Sequence, residues 1–167
     1  GGSGGIGAAI AQTLAAQGLA VWVHGNQNLA RAEGLCAAIQ AAGGTARAIA
    51  FDVADAEATN AALAQMLAIA PIQVLVNNAG LHDDAVMPGM QPAQWQRVID
   101  VNLNGFYNVT QPLFDAMCEQ RDARIINISS VNGQKGQFGQ VNYSAAKAGM
   151  LGFTKALAAE GARFGVT

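Results

Sequence analysis

The sequence is poor in charged residues and has no long apolar run. Only 12% of its 167 residues are charged, and nine Lys and Arg against eleven Asp and Glu leave a net charge of −2. This weak negative charge predicts no dedicated surface for nucleic acid or for an anionic membrane. No apolar run approaches the ~20 residues that span a bilayer. The 51% apolar content excludes a disordered chain, and the length predicts one domain over residues 1–167.

Cysteine and histidine are equally scarce. Cys36 and Cys118 are the only cysteines, too few for a disulfide framework, and helix-like surroundings favour reduced thiols. No basic leader opens the sequence, so we expect a cytoplasmic protein. His24 has no partner at ligand spacing, and His82-Asp83-Asp84 is interpreted as a polar loop at the edge of a site, so no metal site is predicted.

Glycine, in contrast, is abundant and clustered. There are 20 glycines, well above the average usage of about 7%, and they concentrate at positions 1–7, 43–44 and 133–139. Clustered glycine at turns indicates places where the backbone comes close to another group.

Apolar strand-like runs alternate with helix-like runs along the chain. The strand-like runs are Leu19–His24, Ala46–Phe51, Ile72–Asn77 and Arg124–Ser129, and the helix-like runs are Ala8–Gln17, Leu29–Ala42, Ala56–Ala70, Pro92–Cys118 and Val141–Arg163. Nearly continuous apolar strands are typical of a parallel sheet covered on both faces. The alternation predicts an α/β fold with a doubly wound, Rossmann-like parallel sheet.

Three local features refine this prediction. Pro92 fits a first helical turn, whereas Pro112 is expected to kink or interrupt its helix. Gly1 leads directly into a turn and a helix, and Gly165–Thr167 looks like the start of another strand. We therefore expect a single domain that is truncated at both ends, with the first strand absent.

The first seven residues, Gly-Gly-Ser-Gly-Gly-Ile-Gly, precede a helix. They match both Gly2-x-Gly4-x-x-Gly7 and Gly1-x-x-x-Gly5-x-Gly7, the second being a variant spacing of the dinucleotide fingerprint. Backbone N–H groups and the positive end of the helix dipole suit a pyrophosphate.

The segment 24–28 indicates which nucleotide this loop would hold. An acidic residue that binds the ribose 2′-hydroxyl of NAD is expected about 20 residues beyond the loop, but positions 24–28 carry no carboxylate. Neutral Asn26 and Asn28 tolerate a 2′-phosphate, which favours NADP(H). Arg31 is the nearest cation. A simple polar turn, compatible with NAD(H) as well, stays open.

Tyr143 and Lys147 are four residues apart in a helix-like segment, which puts them on one face. A free phenol is a weak acid with a pKa of about 10, and a neighbouring ammonium stabilises its phenolate. The run Ile125–Ser130 ends in two hydroxyls where strand ends gather ligands. Ser130 lies 13 residues before Tyr143, so both can reach one substrate oxygen, while Ser129 is expected to point the other way.

These motifs together resemble the short-chain dehydrogenase/reductase family. The resemblance rests on Gly-x-x-x-Gly-Ile-Gly, Asn77-Asn-Ala-Gly80, Asn102, Ser130 and Tyr143-x-x-x-Lys147, in this order and spacing. Within the family the sequence is most similar to reductases of 3-oxoacyl thioesters. Its segment 129–140 particularly resembles acetoacetyl-CoA reductases, and the rest looks equally like 3-oxoacyl-[acyl-carrier-protein] reductases.

The resemblance implies a role for each motif. The catalytic residues would be Asn102, Ser130, Tyr143 and Lys147: Tyr143 gives a proton to the carbonyl oxygen, Ser130 binds that oxygen, Lys147 holds the nicotinamide ribose, and Asn102 anchors a water. The cofactor would be bound by Gly1, Ser3, Gly5, Ile6, Gly7, Asn26, Asp52, Val53, Asn78, Ala79, Gly80, Tyr143 and Lys147.

The implied reaction is hydride transfer from NADPH to the 3-keto carbon of a 3-oxoacyl thioester carried by CoA or acyl carrier protein, as in fatty-acid metabolism. The alternatives are another small alcohol or ketone, such as a sugar, polyol or hydroxybutyrate, and a nucleotide-binding module without catalysis. The resemblance also implies a homo-tetramer.

Two departures from the family pattern matter. Gly4 stands where many NADP-dependent relatives have Arg, and the family's first strand and C-terminal third, which covers the substrate, are expected to be absent.

Overall fold

The computed structural model describes all 167 residues, and its helices and strands alternate along the chain. The helices are α1 (Gly5–Ala16), α2 (Leu29–Ala41), α3 (Ala56–Leu67), α4 (Pro92–Ile99), α5 (Gly105–Gln120), α6 (Asn132–Lys135) and α7 (Val141–Gly161). The strands are β1 (Ala20–Gly25), β2 (Thr45–Ala50), β3 (Val74–Asn77) and β4 (Arg124–Asn127). Short 3₁₀ turns occupy Met87–Gly89 and Ala162–Phe164. The predicted α/β alternation is confirmed.

All four strands pair in parallel, as the apolar runs predict. β1 pairs with β2, and β3 pairs with β4 so that Asn77 lies opposite Asn127. The strand expected at Gly165–Thr167 lies beside β4, where Thr167 N–H donates to Ala123 C=O at 3.1 Å and Val166 bridges Ala123. Residues of both strand pairs line an apolar cleft of about 650 Å³.

The core consists of two clusters of small and medium-sized side chains. The first joins α1, β1, α2 and β2 through Ala11, Ala15, Val23, Ala32, Cys36, Ile39 and Ala46. The second joins α3, α5 and the β4 side through Val53, Leu63, Met66, Val109, Leu113, Met117, Ala123 and Val166. Alanine at so many contacts lets helices lie close to the strands they cover.

Side-chain caps fix where several helices begin. Asn28 caps α2 by accepting a hydrogen bond from Arg31 N–H at 2.9 Å, and Asp55 caps α3 by accepting from Ala58 N–H at 3.0 Å. Pro92 takes the first position of α4, as predicted, because its missing N–H has no helical partner there.

The long helix predicted over 92–118 is interrupted, but not at Pro112. A π-helix at Asp100–Asn104 separates α4 from α5, and α5 continues through Pro112. Of the two outcomes expected at Pro112, a kink or an interruption, the interruption is therefore wrong. The ring deprives the Asn108 carbonyl of its helical donor, but Leu113 and Met117, both buried, hold this part of α5 in the second core cluster.

A chain of side-chain amides crosses the ends of β3 and β4. Asn77 Nδ2 donates to Thr110 Oγ1 on α5 at 3.0 Å and to Asn127 Oδ1 at 2.9 Å. Asn127 Nδ2 donates in turn to Thr154 Oγ1 on α7 at 2.8 Å. The chain thus ties two helices to the edge of the sheet at which the predicted site lies.

The helices do not include a membrane-spanning candidate. The longest, α7, has 21 residues but is not apolar enough to cross a bilayer.

Candidate functional site

The glycine-rich loop lies between the carboxyl ends of β1 and β3. Gly2 N–H donates to His24 C=O at 2.9 Å, and Asn78 Nδ2 donates to Gly1 C=O at 2.7 Å. A Cβ on Gly1 would stand 2.7 Å from the Ala79 Cα, so this contact excludes any side chain at position 1. The loop and the turn after β3 therefore form one surface.

The start of α1 completes a cradle for an anion. Gly5 has a φ of +46°, which favours glycine, and a Cβ on Gly7 would stand 2.8 Å from Asn78 Nδ2. Ser3 is half-buried and Ile6 is exposed. The first-turn N–H groups of α1 lack helical partners, so the loop fits a dinucleotide pyrophosphate.

Three polar candidates lie at the end of β1 and in the turn after it, and their environments differ. Asn26 is exposed, whereas the side-chain oxygen of Asn28 is used as the cap of α2. Burial lowers the pKa of His24 to about 4, so its imidazole is neutral near pH 7. His24 Nε2 lies 2.8 Å from the Phe51 carbonyl, to which a protonated ring nitrogen donates.

A cation reaches the glycine-rich loop from α2. A Cβ on Gly4 would stand 2.8 Å from Arg31 Nη2 and 3.1 Å from Arg31 Cζ. The exposed Arg31 guanidinium therefore occupies the space that a side chain at position 4 would fill.

Asp52 and Val53 follow β2 with different environments. Asp52 is exposed and accepts from Ala54 N–H at 2.9 Å, while Val53 is buried in the second core cluster. Val53 C=O accepts from Asn108 Nδ2 at 2.9 Å, which fixes this turn against α5.

Lys147 is a buried cation held between aromatic rings. It is 3% exposed, and its Nζ donates to Ile128 C=O at 2.9 Å. Nζ lies 5.7 Å from the centre of the Tyr143 ring and 5.3 Å from that of Phe106. Burial lowers the pKa of Lys147 to about 8, so most of the amine is still ammonium at pH 7.

Asn102 faces the same region from the π-helix. Its Nδ2 donates to Leu81 C=O at 2.7 Å and Val98 C=O at 2.9 Å, while its buried Oδ1 has no hydrogen-bond partner. A Cβ on Gly80 would stand 2.7 Å from that Oδ1 and 3.5 Å from Lys147 Nζ. Gly80 thus leaves room between an unpaired acceptor and a cation.

The two hydroxyls after β4 have different partners. Ser129 Oγ donates to Lys147 C=O at 2.9 Å, which anchors the segment to α7. Ser130 Oγ accepts from Asn132 N–H at 3.1 Å. Ser130 therefore keeps its own O–H available for an external acceptor.

The sequence analysis missed Asn142, which orients the start of α7. It is fully buried, and its Nδ2 donates to Asp83 C=O at 3.0 Å and Gln94 C=O at 3.3 Å. Its Oδ1 accepts from Tyr143 N–H at 2.8 Å. Its position beside Tyr143 was the only available signal, because the two carbonyls that its Nδ2 binds are remote in sequence.

The loop after Gly80 also reaches the site. The His82 ring stands edge-on to the Tyr143 ring with 6.5 Å between centres, and His82 Nδ1 lies 3.2 Å from Asp84 Oδ1. The expected polar loop at the edge of the site therefore contacts the phenol.

Together these residues combine an anion cradle, a phenol beside a buried ammonium, and a free hydroxyl donor. Such a set can bind a dinucleotide and can supply hydrogen bonds and a proton to a carbonyl oxygen. This is the chemistry of carbonyl reduction or, in reverse, alcohol oxidation.

Comparison with known proteins agrees with this chemistry. The family model for short chain dehydrogenase matches residues 1–167. The chain is 49% identical to an acetoacetyl-CoA reductase from Shinella zoogloeoides and 45% identical to a 3-oxoacyl-[acyl-carrier-protein] reductase from Synechocystis, covering all of itself and 68% of each relative.

A solved structure is similar over the whole chain. It is a gluconate 5-dehydrogenase from Burkholderia cenocepacia in complex with NADP and tartrate, with a TM-score of 0.94 and 32% sequence identity. All of this chain and 66% of that one are covered.

Proposed function

The chain belongs to the short-chain dehydrogenase family of oxidoreductases, and we propose that it reduces the 3-keto group of a 3-oxoacyl thioester with NADPH. The product is the 3-hydroxyacyl thioester. The observation that carries the redox assignment is the buried Lys147 ammonium 5.7 Å from the Tyr143 ring on one face of α7. The thioester is supported by the relatives' printed names.

In this proposal, Tyr143 and Ser130 act on the substrate carbonyl oxygen. When bound, the nicotinamide supplies the hydride that reaches the 3-keto carbon. Ser130 donates its O–H to the oxygen, since its own oxygen already accepts from Asn132 N–H. Tyr143 donates the proton, so that C=O becomes CH–OH, and the Lys147 ammonium stabilises the phenolate left behind.

Lys147 and Asn102 would return a proton to Tyr143. Lys147 also holds the nicotinamide ribose in this proposal, with Asn78, Ala79 and Gly80 beside it. The unpaired Asn102 Oδ1 supports its role as acceptor for a water that connects Lys147 to solvent.

The proposed cofactor preference rests on Arg31. A 2′-phosphate beside Asn26 needs a cation, and neutral His24 does not supply one. The Arg31 guanidinium, which lies against Gly4, supplies this cation, and its charge and its N–H donors suit a phosphate. The pyrophosphate would lie on Gly1, Ser3, Gly5, Ile6 and Gly7, and the adenine beside Asp52 and Val53.

We also propose a homo-tetramer. Small residues of α7, among them Ala145, Ala148, Gly152 and Ala156, are exposed and would allow a helix of another copy to approach closely. A strictly monomeric sedimentation profile of the full-length protein would count against it.

Replacement of the phenol tests the reaction. Tyr143→Phe is expected to lower kcat with acetoacetyl-CoA by at least about 10²-fold, while NADPH still binds. Tyr107→Phe, an exposed tyrosine on α5, is the matched control. Unchanged turnover in Tyr143→Phe would refute the assignment.

The substrate class is tested separately with the unmodified enzyme. Acetoacetyl-CoA is compared with 5-ketogluconate and simple ketones at equal NADPH. Preferential reduction of a sugar acid or simple ketone would favour the alternative substrates, and nucleotide binding without turnover would favour a binding module.

A further inference from the structure

A chain of hydrogen bonds runs from the loop after Gly80 to the Ser130 hydroxyl. Gln140 Nε2 donates to Asp84 Oδ2 at 2.9 Å, and Gln140 Oε1 accepts from Asn132 Nδ2 at 2.8 Å. Asn132 N–H then donates to Ser130 Oγ at 3.1 Å. At its other end, Asp84 Oδ1 contacts His82 Nδ1. The two ends of the chain thus lie at Tyr143 and Ser130.

The direction of every bond in this chain is determined by its chemistry. An ionised Asp84 can only accept hydrogen bonds. The Gln140 amide must therefore turn its NH₂ toward Asp84 and its carbonyl toward Asn132. Asn132 then has to donate from its own side-chain nitrogen, so each amide has one orientation.

The segment that carries Asn132 needs such an anchor. Its helix, α6, has only four residues, and Gly136 and Gly139 follow with φ of +72° and +77°. Ala85 N–H donates to Gly139 C=O at 2.9 Å, so backbone and side chain hold the segment at the same place. Through this attachment the loop after Gly80 determines where Asn132 lies.

We propose that Gln140 is a positioning residue that orients the Ser130 hydroxyl through Asn132, with Asp84 setting its polarity. This rests on the proposed carbonyl reduction. Because Asn132 N–H occupies a lone pair of Ser130 Oγ, the Ser130 O–H is directed to the substrate oxygen. Gln140 acts on the transition state without touching the reacting atoms.

Removing the donor from the bond between Gln140 and Asp84 is the test. Gln140→Glu places two carboxylates in contact and is expected to lower kcat with acetoacetyl-CoA on the order of 10- to 100-fold. The KM for NADPH and the melting temperature are expected to stay the same. Combining it with Asp84→Asn restores a donor at position 84 for the new carboxylate, so the double variant is expected to recover most of the kcat.

Gln134→Glu, an exposed glutamine on α6, is the charge-matched control and is expected to leave kcat unchanged. Two results would overturn the proposal: an unaffected kcat in Gln140→Glu, or a loss that Asp84→Asn does not repair. If the unmodified enzyme reduces another carbonyl compound instead, the thioester assignment fails and the same variants are measured with that compound. No reduction of any carbonyl would overturn both.

Discussion

Single residues decide the nucleotide specificity proposed for this site. Gly4 has an extended φ of −145°, which any residue adopts, so conformation does not require glycine there. A Cβ there would stand 2.8 Å from Nη2 of the exposed Arg31, so a side chain at position 4 would displace the guanidinium from this place. In the proposed site, a glycine in the loop and an arginine on α2 would take the place of the loop arginine that the family resemblance leads us to expect for NADP.

Exchanging these two residues tests that interpretation. Arg31→Ala is expected to weaken NADPH binding about 10- to 100-fold, the loss of a charged hydrogen bond, and to leave NADH binding unchanged. Adding Gly4→Arg to Arg31→Ala is expected to restore NADPH affinity, because the new guanidinium would enter the space that the Arg31 guanidinium has left. Fluorescence titration gives the two dissociation constants. Arg163→Ala is the control, and an unaltered NADPH to NADH ratio in Arg31→Ala would exclude the role.

Lys147 makes stability depend on pH. Its pKa is about 8 in the folded state against 10.5 for the free side chain, because burial disfavours its charge. Between pH 8 and 10.5 the unfolded chain binds more protons, so this contribution to the free energy of unfolding rises with pH, by up to about 3 kcal/mol. Below pH 8 the full cost of burying the ammonium is present.

Urea unfolding of the unmodified protein and of Lys147→Met, from pH 7 to 10.5, measures this contribution. The stability difference between the two proteins is expected to shift in favour of the unmodified one across the window. A difference that does not vary with pH would show that Lys147 titrates alike in both states.

At the scale of elements, the π-helix is what places Asn102. Its Nδ2 donates to the Val98 carbonyl, four residues back in α4. The same nitrogen also reaches Leu81 C=O in the loop after Gly80. One side chain thus joins the helix to the site loop and leaves Oδ1 turned toward Lys147.

The amide chain at the ends of β3 and β4 holds two helices around the site. Asn77→Ala would leave Thr110 and Asn127 without their donor in a buried position, at a cost of about 1–3 kcal/mol. We expect urea unfolding to show this loss with an unchanged m-value. Asn60→Ala on the exposed surface of α3 is the control, and an equal effect of both substitutions would contradict a stabilising role of the amide chain.

Across the whole molecule, the features that could be predicted from the sequence are those that depend on residues close together in the chain. Apolar runs predict four strands in parallel, and the i, i+4 spacing predicts that Tyr143 and Lys147 share a face. Contacts between remote segments escape such reasoning: Gln140 meets Asp84 across 56 positions, and Arg31 reaches Gly4 only because α2 docks beside the loop. The π-helix carries no Gly or Pro signal within Asp100–Asn104.

The proposed site also spans both core clusters, which predicts how a nucleotide stabilises the fold. Its 2′-phosphate side lies on the turn after β1 and on Arg31, beside the first cluster. The adenine lies at Val53, which belongs to the second cluster, and the nicotinamide side lies on Gly80 and Lys147, beyond β3. Hydrogen exchange is therefore expected to slow in both β1 and β3 when NADPH binds. Adenosine 2′,5′-bisphosphate, which has the 2′-phosphate but no nicotinamide, is expected to protect β1, α2 and the turn at Asp52 and Val53 more than β3. Binding to the folded protein alone adds RT ln(1 + [L]/Kd), about 2.7 kcal/mol at 100-fold excess over Kd, for every amide that exchanges through global unfolding. The comparison is therefore made on amides that exchange through local opening, and equal protection of such amides in β3 by both ligands would mean that the adenosine half is sufficient to couple the clusters.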